Sequence, residues 1–279
     1  MNAKKLLVGM ATAALFLTGC AGGADKVKTA ADGKKQENGE VTIYFARHGE
    51  TMMNAAERAQ GWTDAPLTPE GIKGAEALGK GLKEANITFD KVYTSTSGRT
   101  QETAELVLAN NGQEDMTYTK DERLREYNFG TYEGARNKEM LTAVAEVDGE
   151  TYEEFVGDLR KNGYYPKVLH LADVLSELDK ENAEEGKTWL AEDSQTILDR
   201  LLTALDEIVA DAEKEGHENV LVVSHGMSII TILGQFDTEE EFQLTSMKNA
   251  SISTLTHKDG EYRVTSVNDV SYTDSANEE

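Results

Sequence analysis

Only one cysteine, Cys20, stands among the 279 residues, which excludes an intrachain disulfide and any zinc cluster built on thiolates. Basic residues are scarce as well: 28 Lys and Arg face 51 Asp and Glu, a net charge of −23. A chain this acidic repels nucleic-acid backbones and anionic lipid headgroups, so neither is expected as a partner, and the carboxylate surplus serves solubility. The apolar stretch from Leu6 to Leu17 is only about a dozen residues long, where about 20 are needed to span a bilayer. No internal repeat is present.

That stretch reads instead as part of a secretory signal over residues 1–19, with Lys4 and Lys5 before it and small residues after it. It closes Leu17-Thr18-Gly19-Cys20, which resembles the lipobox of bacterial lipoproteins. The resemblance implies lipidation of Cys20 as the mature amino terminus, held on the extracytoplasmic face of the cell membrane by its acyl chains alone. No thiol is then left for catalysis, and loss of Lys4 and Lys5 takes the mature chain to about −25. Residues 20–40, rich in Ala, Gly, Lys, Asp and Glu, have the composition of a flexible tether. The folded domain is expected over 41–270, followed by a polar, disordered tail over 271–279.

Val41 to Ala46 is a short apolar, β-branched and aromatic run of the kind that forms a buried strand, and it ends on Arg47-His48-Gly49. Thr68-Pro69 opens a helix with Ile72, Ala75, Leu78 and Leu82 on one face. A second strand, Lys91 to Ser95, runs into a helix from about Gly98 to Ala109 with Arg99 in its first turn. Ile197, Leu201, Leu205 and Ile208 mark an amphipathic helix over Asp193 to Lys214. Val220 to Val223 forms a further buried strand and ends on Ser224-His225-Gly226. Asp259-Gly260 joins two strands as a hairpin. Alternating strands and helices predict an α/β fold, a three-layer α/β/α sandwich around a mostly parallel sheet. Residues 136–190 break the alternation as a mainly helical insert. It is expected to act as a lid and set specificity, its aromatics Tyr152, Phe155, Tyr164, Tyr165 and Trp189 serving mostly as packing.

Two of the five histidines, His48 and His225, directly follow buried strands and precede Gly and a helix. In open α/β sheets the ligand crevice lies beyond the carboxyl ends of the strands, where helix amino termini offer N–H groups to an anion. Gly49 and Gly226 would let the backbone approach a ligand closely. Arg47 and Arg99 leave strand ends in the same way, and two guanidinium groups suit the oxygens of a phosphoryl group. The remaining histidines, His170, His217 and His257, stand apart from one another, so no metal site and no cofactor are expected.

Taken together, Arg47-His48-Gly49-Glu50-Thr51 with Asn54 resembles the signature of the histidine phosphatase superfamily, the group that includes phosphoglycerate mutases. The likeness continues through Gln60-Gly61-Trp62 to Thr68, Val92 to Ala104, Leu124 to Gly130 with Glu133-Gly134, Ala191-Glu192-Asp193 with Arg200, and Val223 to Gly226. It implies a phosphoglycerate mutase-like fold and a small phosphorylated substrate. His48 would be the nucleophile, Arg47, Arg99 and His225 would bind the phosphoryl oxygens, and Glu126 would serve as general acid and base. Thr51, Asn54, Gln60, Gly61 and Gly226 would line the pocket. Mutases of the family carry Arg directly after the acid, where this chain has Tyr127, so the resemblance points to a phosphatase. The alternatives are a mutase-type phosphotransferase and a lipoprotein that captures a phosphorylated solute without turnover.

Overall fold

A computed structural model describes residues 39–184, 186–237 and 241–275. The proposed signal, Cys20 and most of the tether lie outside the described residues, as do residues 276–279. Among the described residues, no helix is long and apolar enough to cross a membrane.

Six strands form one sheet: β1 (Val41–Arg47), β2 (Lys91–Thr94), β3 (Thr119–Lys120), β4 (Asn219–Ser224), β5 (Ile252–Lys258) and β6 (Glu261–Asp269). Their spatial order is β3-β2-β4-β1-β5-β6. The first four in that order run parallel, whereas β5 pairs antiparallel with β1 and β6 with β5. The two-residue hairpin turn has Asp259 at φ +52° and Gly260 at φ +86°, the twin positive angles that such a turn needs and that Asp-Gly supplies cheaply.

Strand periodicity divides the core in two. Ile43 and Phe45 of β1, with Val220 and Val222 of β4, face one side, while Ala46, Leu221 and Val223 face the other. Helices α2 (Pro69–Glu84) and α3 (Gly98–Asn111) cover the second face through Leu78, Leu82, Ala104 and Val107. On the first face lie α7 (Ser194–Glu215) and α8 (Gly226–Phe236), which bring Ile197, Leu201, Leu205, Ile229 and Ile230. The three-layer α/β/α sandwich is therefore present, with the sheet between two helical layers. The helices begin where the sequence marks them: Thr68 accepts from Gly71 N at 3.0 Å ahead of Pro69, and Asp193 accepts from Thr196 N at 2.8 Å.

The insert is helical, as expected: α4 (Asn137–Asp148), α5 (Tyr152–Asn162) and α6 (Lys167–Asn182). Phe155, Met140, Val144 and Leu175 join the larger core cluster, so these helices extend the first layer. Before them, the four-residue α1 (Met52–Ala55) is capped by Thr51.

Two expectations need correction. The tail read as disordered opens with a short helix, α9 (Ser271–Ser275), and Tyr272 anchors it against the smaller core cluster. One aromatic in a polar run carries that contact, too little to register as periodicity. Gly49 was expected to admit a ligand, but it admits another backbone. A Cβ there would lie 2.6 Å from Gly71 O, and one on Gly71 would lie 2.0 Å from Glu50 O. The amino end of α2 is pressed onto the segment that follows β1.

This close approach gives two substitutions on one helix opposite signs. Gly71→Ala should cost about 1–3 kcal/mol by forcing backbone against backbone. A Cβ on Gly74 would meet only Ala250 Cβ at 3.7 Å, an ordinary contact. Gly74→Ala should therefore stabilise by about 0.5–1 kcal/mol through helix propensity. Urea midpoints of the two variants check the pair, and equal shifts would contradict the packing described.

Candidate active site

The parallel register of β1 on β4 sets Arg47 opposite Ser224, so His48 and His225 leave adjacent central strands at the same edge of the sheet. Their rings meet edge to face with centroids 5.3 Å apart. β2 pairs with the other side of β4, Thr94 opposite Val223, and delivers Arg99 from the start of α3 to the same place.

Hydrogen bonds fix the protonation of each imidazole. His48 Nδ1 lies 2.8 Å from Gly49 O. A carbonyl only accepts, so Nδ1 carries the proton and Nε2 keeps a bare lone pair on the cavity side. His225 Nδ1 lies 2.8 Å from an Arg99 guanidinium nitrogen, which only donates. Its proton therefore sits on Nε2 and goes to Ser95 Oγ at 2.8 Å. Both rings are buried and held well below the ordinary histidine range, first by loss of water and then by the charge of Arg99. His48 is thus a neutral imidazole whose Nε2 lone pair no protein donor engages among the described residues.

The cations around it are short of partners. Arg99, fully buried, donates to Gly61 O at 2.8 Å, Thr63 O at 3.1 Å and Asp64 Oδ1 at 3.0 Å, yet its Nε has no acceptor. Arg47 donates to Met247 O, and its Nε is also out of solvent without an acceptor. Although part of the Arg47 side chain reaches the cavity, burial pushes its pKa down to about 10, with Glu126 opposing the shift and Arg99 adding to it.

Glu126 occupies a position the sequence could not show. Its carboxylate accepts from Met227 N at 3.0 Å, Ser228 N at 3.0 Å and Ser228 Oγ at 2.9 Å, at the amino end of α8, and from Tyr127 N at 3.1 Å. The helix amino termini were expected to offer free N–H groups to a ligand. Here the protein's own carboxylates take several of them, since Asp64 Oδ2 likewise accepts from Gly98 N of α3 at 2.6 Å.

Beside these groups lies a cavity of about 250 Å³. Arg47, His48, Asn54, Gln60, Glu126 and Gly226 line it. Thr51 and Gly61, expected among the lining, stand behind it. The Thr51 hydroxyl accepts from Asn54 N at 3.1 Å and donates to Gln60 Oε1 at 2.5 Å, which orients the amide so that Gln60 Nε2 is left buried and unpaired. Gly61 is needed because a Cβ there would lie 1.9 Å from Tyr127 O. Arg99 and His225 back His48 without lining the cavity. Tyr127 turns into the core, with its hydroxyl 2.5 Å from Thr231 Oγ1.

Sequence reasoning missed several residues. Asn249 donates to His48 O at 3.0 Å and Asn54 Oδ1 at 3.2 Å, and Arg58 and Lys167 reach the cavity wall. Nothing in their local pattern marks them, because each depends on a tertiary neighbour. Of the outlying histidines, His170 pairs with Asp148 at 2.8 Å.

Residues 43–163 and 169–270 match the histidine phosphatase superfamily, branch 1. The 2,3-bisphosphoglycerate-dependent phosphoglycerate mutase of Streptococcus thermophilus is 32% identical over 191 residues, covering 68% of this chain and 80% of the relative. Among solved structures, phosphoglycerate mutase from Bacillus anthracis is 36% identical with a TM-score of 0.76, covering 86% of this chain and 98% of that one. Bacillus stearothermophilus YhfR is 29% identical with a TM-score of 0.60, covering 84% and 99%.

The two buried neutral histidines link stability to pH. In the unfolded chain they protonate near 6.5, while in the folded protein they stay neutral well below it, so the unfolded state binds more protons on the acid side. Their contribution is complete above 6.5 and lost as pH falls below it, by up to about 1.4 kcal/mol per pH unit for each histidine. His48→Asn should remove one such increment from the slope of unfolding free energy against pH between 6.5 and 5. An unchanged slope would place His48 in contact with water and proton exchange.

Proposed function

The chain belongs to the histidine phosphatase superfamily, branch 1, and from that premise we propose that it is a phosphatase hydrolysing an organic phosphate monoester through a phosphohistidine on His48, without a metal ion. The observation that carries the reading is the bare Nε2 of a neutral His48 beside buried donors, Arg47 Nε and Gln60 Nε2, that lack acceptors. A tetrahedral dianion brings those acceptors, and its charge meets guanidinium groups that Asp64 and Glu126 only partly offset.

In the first half-reaction the Nε2 lone pair attacks phosphorus, the bond from phosphorus to the ester oxygen breaks, and Glu126 gives that oxygen a proton as the alcohol leaves. In the second, water attacks the phosphohistidine, Glu126 takes a proton from it, and the P–N bond breaks to return neutral His48 and inorganic phosphate. Arg47, with Arg99 and His225 behind, neutralises charge that grows on the phosphoryl oxygens. Asn54 and Gln60 orient the group through their amide donors. Two arginines supply the positive charge that a divalent ion brings elsewhere.

The names of the relatives favour a second reading, a mutase. Against it stands Tyr127, which occupies the position of the mutase arginine and is turned into the core. The binder reading is disfavoured by the carboxylate of Glu126 on the cavity wall, which caps α8 but also repels a dianion that pure capture would need to hold. Export and anchoring through Cys20 complete the proposal: outside the membrane such an enzyme meets phosphate esters for hydrolysis.

Hydrolysis of a generic aryl phosphate should persist in a chelator. His48→Ala should abolish both turnover and the acid-labile phosphoenzyme. Glu126→Gln should slow poor leaving groups by about 10²–10⁴-fold and good ones far less. Phosphoenzyme trapped on His225, or phosphoglycerate isomerised without release of phosphate, would overturn the reading. For the anchor, the full chain should enter the detergent phase of a Triton X-114 partition and take up labelled fatty acid, and Cys20→Ser should do neither.

A further inference from the structure

The cavity beside His48 has a mixed lining. Besides the polar groups described above, six aliphatic side chains form an apolar wall, Met140, Leu141, Leu159, Val168, Leu171 and Ile230, drawn from α4, α5, α6 and α8. Five of these side chains are buried, and Leu141 is half-buried. The cations near this wall are engaged elsewhere: Lys167 pairs with Asp158 at 3.2 Å and lies 5.3 Å over the Phe155 ring, and Arg58 donates to Gly134 O at 2.6 Å.

A phosphate ester held at His48 has that wall within the same cavity for its alcohol portion. Wherever it met these aliphatic carbons a sugar or polyol would bury hydroxyl groups without a partner, each at a penalty, although Asn137, Tyr164 and Ser246 also line the cavity. A hydrocarbon portion gains from the same surface. We propose, resting on the phosphatase reading above, that the substrate is the phosphate monoester of an apolar alcohol or phenol, selected by the aliphatic wall that the insert builds. The cavity is small beside ordinary ligand clefts of roughly 300–1,000 Å³, so the hydrocarbon is a single ring or a short chain.

The test uses the full chain and a series of methyl, butyl and hexyl phosphates, whose leaving groups are chemically alike. kcat/KM should rise by about fourfold for each methylene that is buried, until the wall is filled. Leu141→Asn, at a half-buried position, should lower the hexyl-to-methyl ratio by about tenfold, while a circular dichroism spectrum reports its fold. Binding of hexylphosphonate against methylphosphonate, measured by calorimetry, reads the wall without turnover and should favour the hexyl compound. If all three esters are hydrolysed at equal kcat/KM, the proposal falls and the phosphatase reading stands. A sugar phosphate or phosphoglycerate that outpaces hexyl phosphate also overturns it, and assigns Arg58 and Lys167 to a polar substrate. If no ester is turned over but hexylphosphonate binds more tightly, the wall is upheld and hydrolysis is what fails. Equal phosphonate binding together with no turnover overturns both.

Discussion

Everything at the site depends on the parallel register of β1 against β4. Pairing Arg47 with Ser224 makes two strands end level, so that the residues immediately after them, His48 and His225, must share one small volume. A slip of one residue would turn the alternating faces of β1 inside out, exchanging Phe45 and Ala46 between the two core clusters. The hydrophobic core on both faces of the sheet therefore enforces the geometry of the chemistry. Neither histidine needs a local device to find the other.

Burial then gives these side chains their character. Without water, the two imidazoles stay neutral and the two arginines keep charges that carboxylates only partly offset. Each Nδ1 is fixed by a different partner, a carbonyl for His48 and a guanidinium for His225, so the two rings hold opposite tautomers. One presents a lone pair to the cavity, while the other spends both nitrogens on Arg99 and Ser95. Similar positions at strand ends thus reach unlike states, one ring with a lone pair left over and one with both nitrogens engaged.

The sequence made much of this legible because the signals were local. Apolar runs ending on Arg47-His48-Gly49 and Ser224-His225-Gly226 marked the strand ends, and Thr68-Pro69, Asp193 and Asp259-Gly260 carried the caps and the turn. What escaped depended on contacts between distant segments. Gly49 looks like a ligand-facing glycine until α2 is seen pressed against it, and Thr51 looks like a pocket residue until its hydroxyl is found holding Gln60 from behind. The insert is helical, and its aromatics Phe155 and Tyr165 pack as expected, whereas Tyr164 also lines the cavity and Trp189 stays exposed beside Trp62. The aliphatic wall it contributes is assembled from three helices, and no single stretch displays it.

The acidic composition also acquires a meaning beyond solubility. The segment from Leu124 to Glu133, which carries Glu126, is irregular chain in a largely buried place, where unpaired backbone N–H groups would be costly. Carboxylates satisfy them. Glu133 takes the N–H groups of Gly61, Trp62, Thr63 and Phe129, Glu192 takes that of Asn128, and Asp179 takes those of Thr131 and Ala191. Arg200 completes the frame by donating to the carbonyls of Arg123, Arg125 and Glu126 while it pairs with Glu192. The hydrolysis proposed above requires Glu126 to reach a substrate oxygen and then a water molecule, and so to be held to a fraction of an ångström. Regular secondary structure does not run through its position, so the side chains of Glu133 in the same segment, Asp179 of α6, Glu192 just before α7 and Arg200 of α7 do that work. These carboxylates turn inward to the site, while the exposed remainder keeps the outer surface strongly negative.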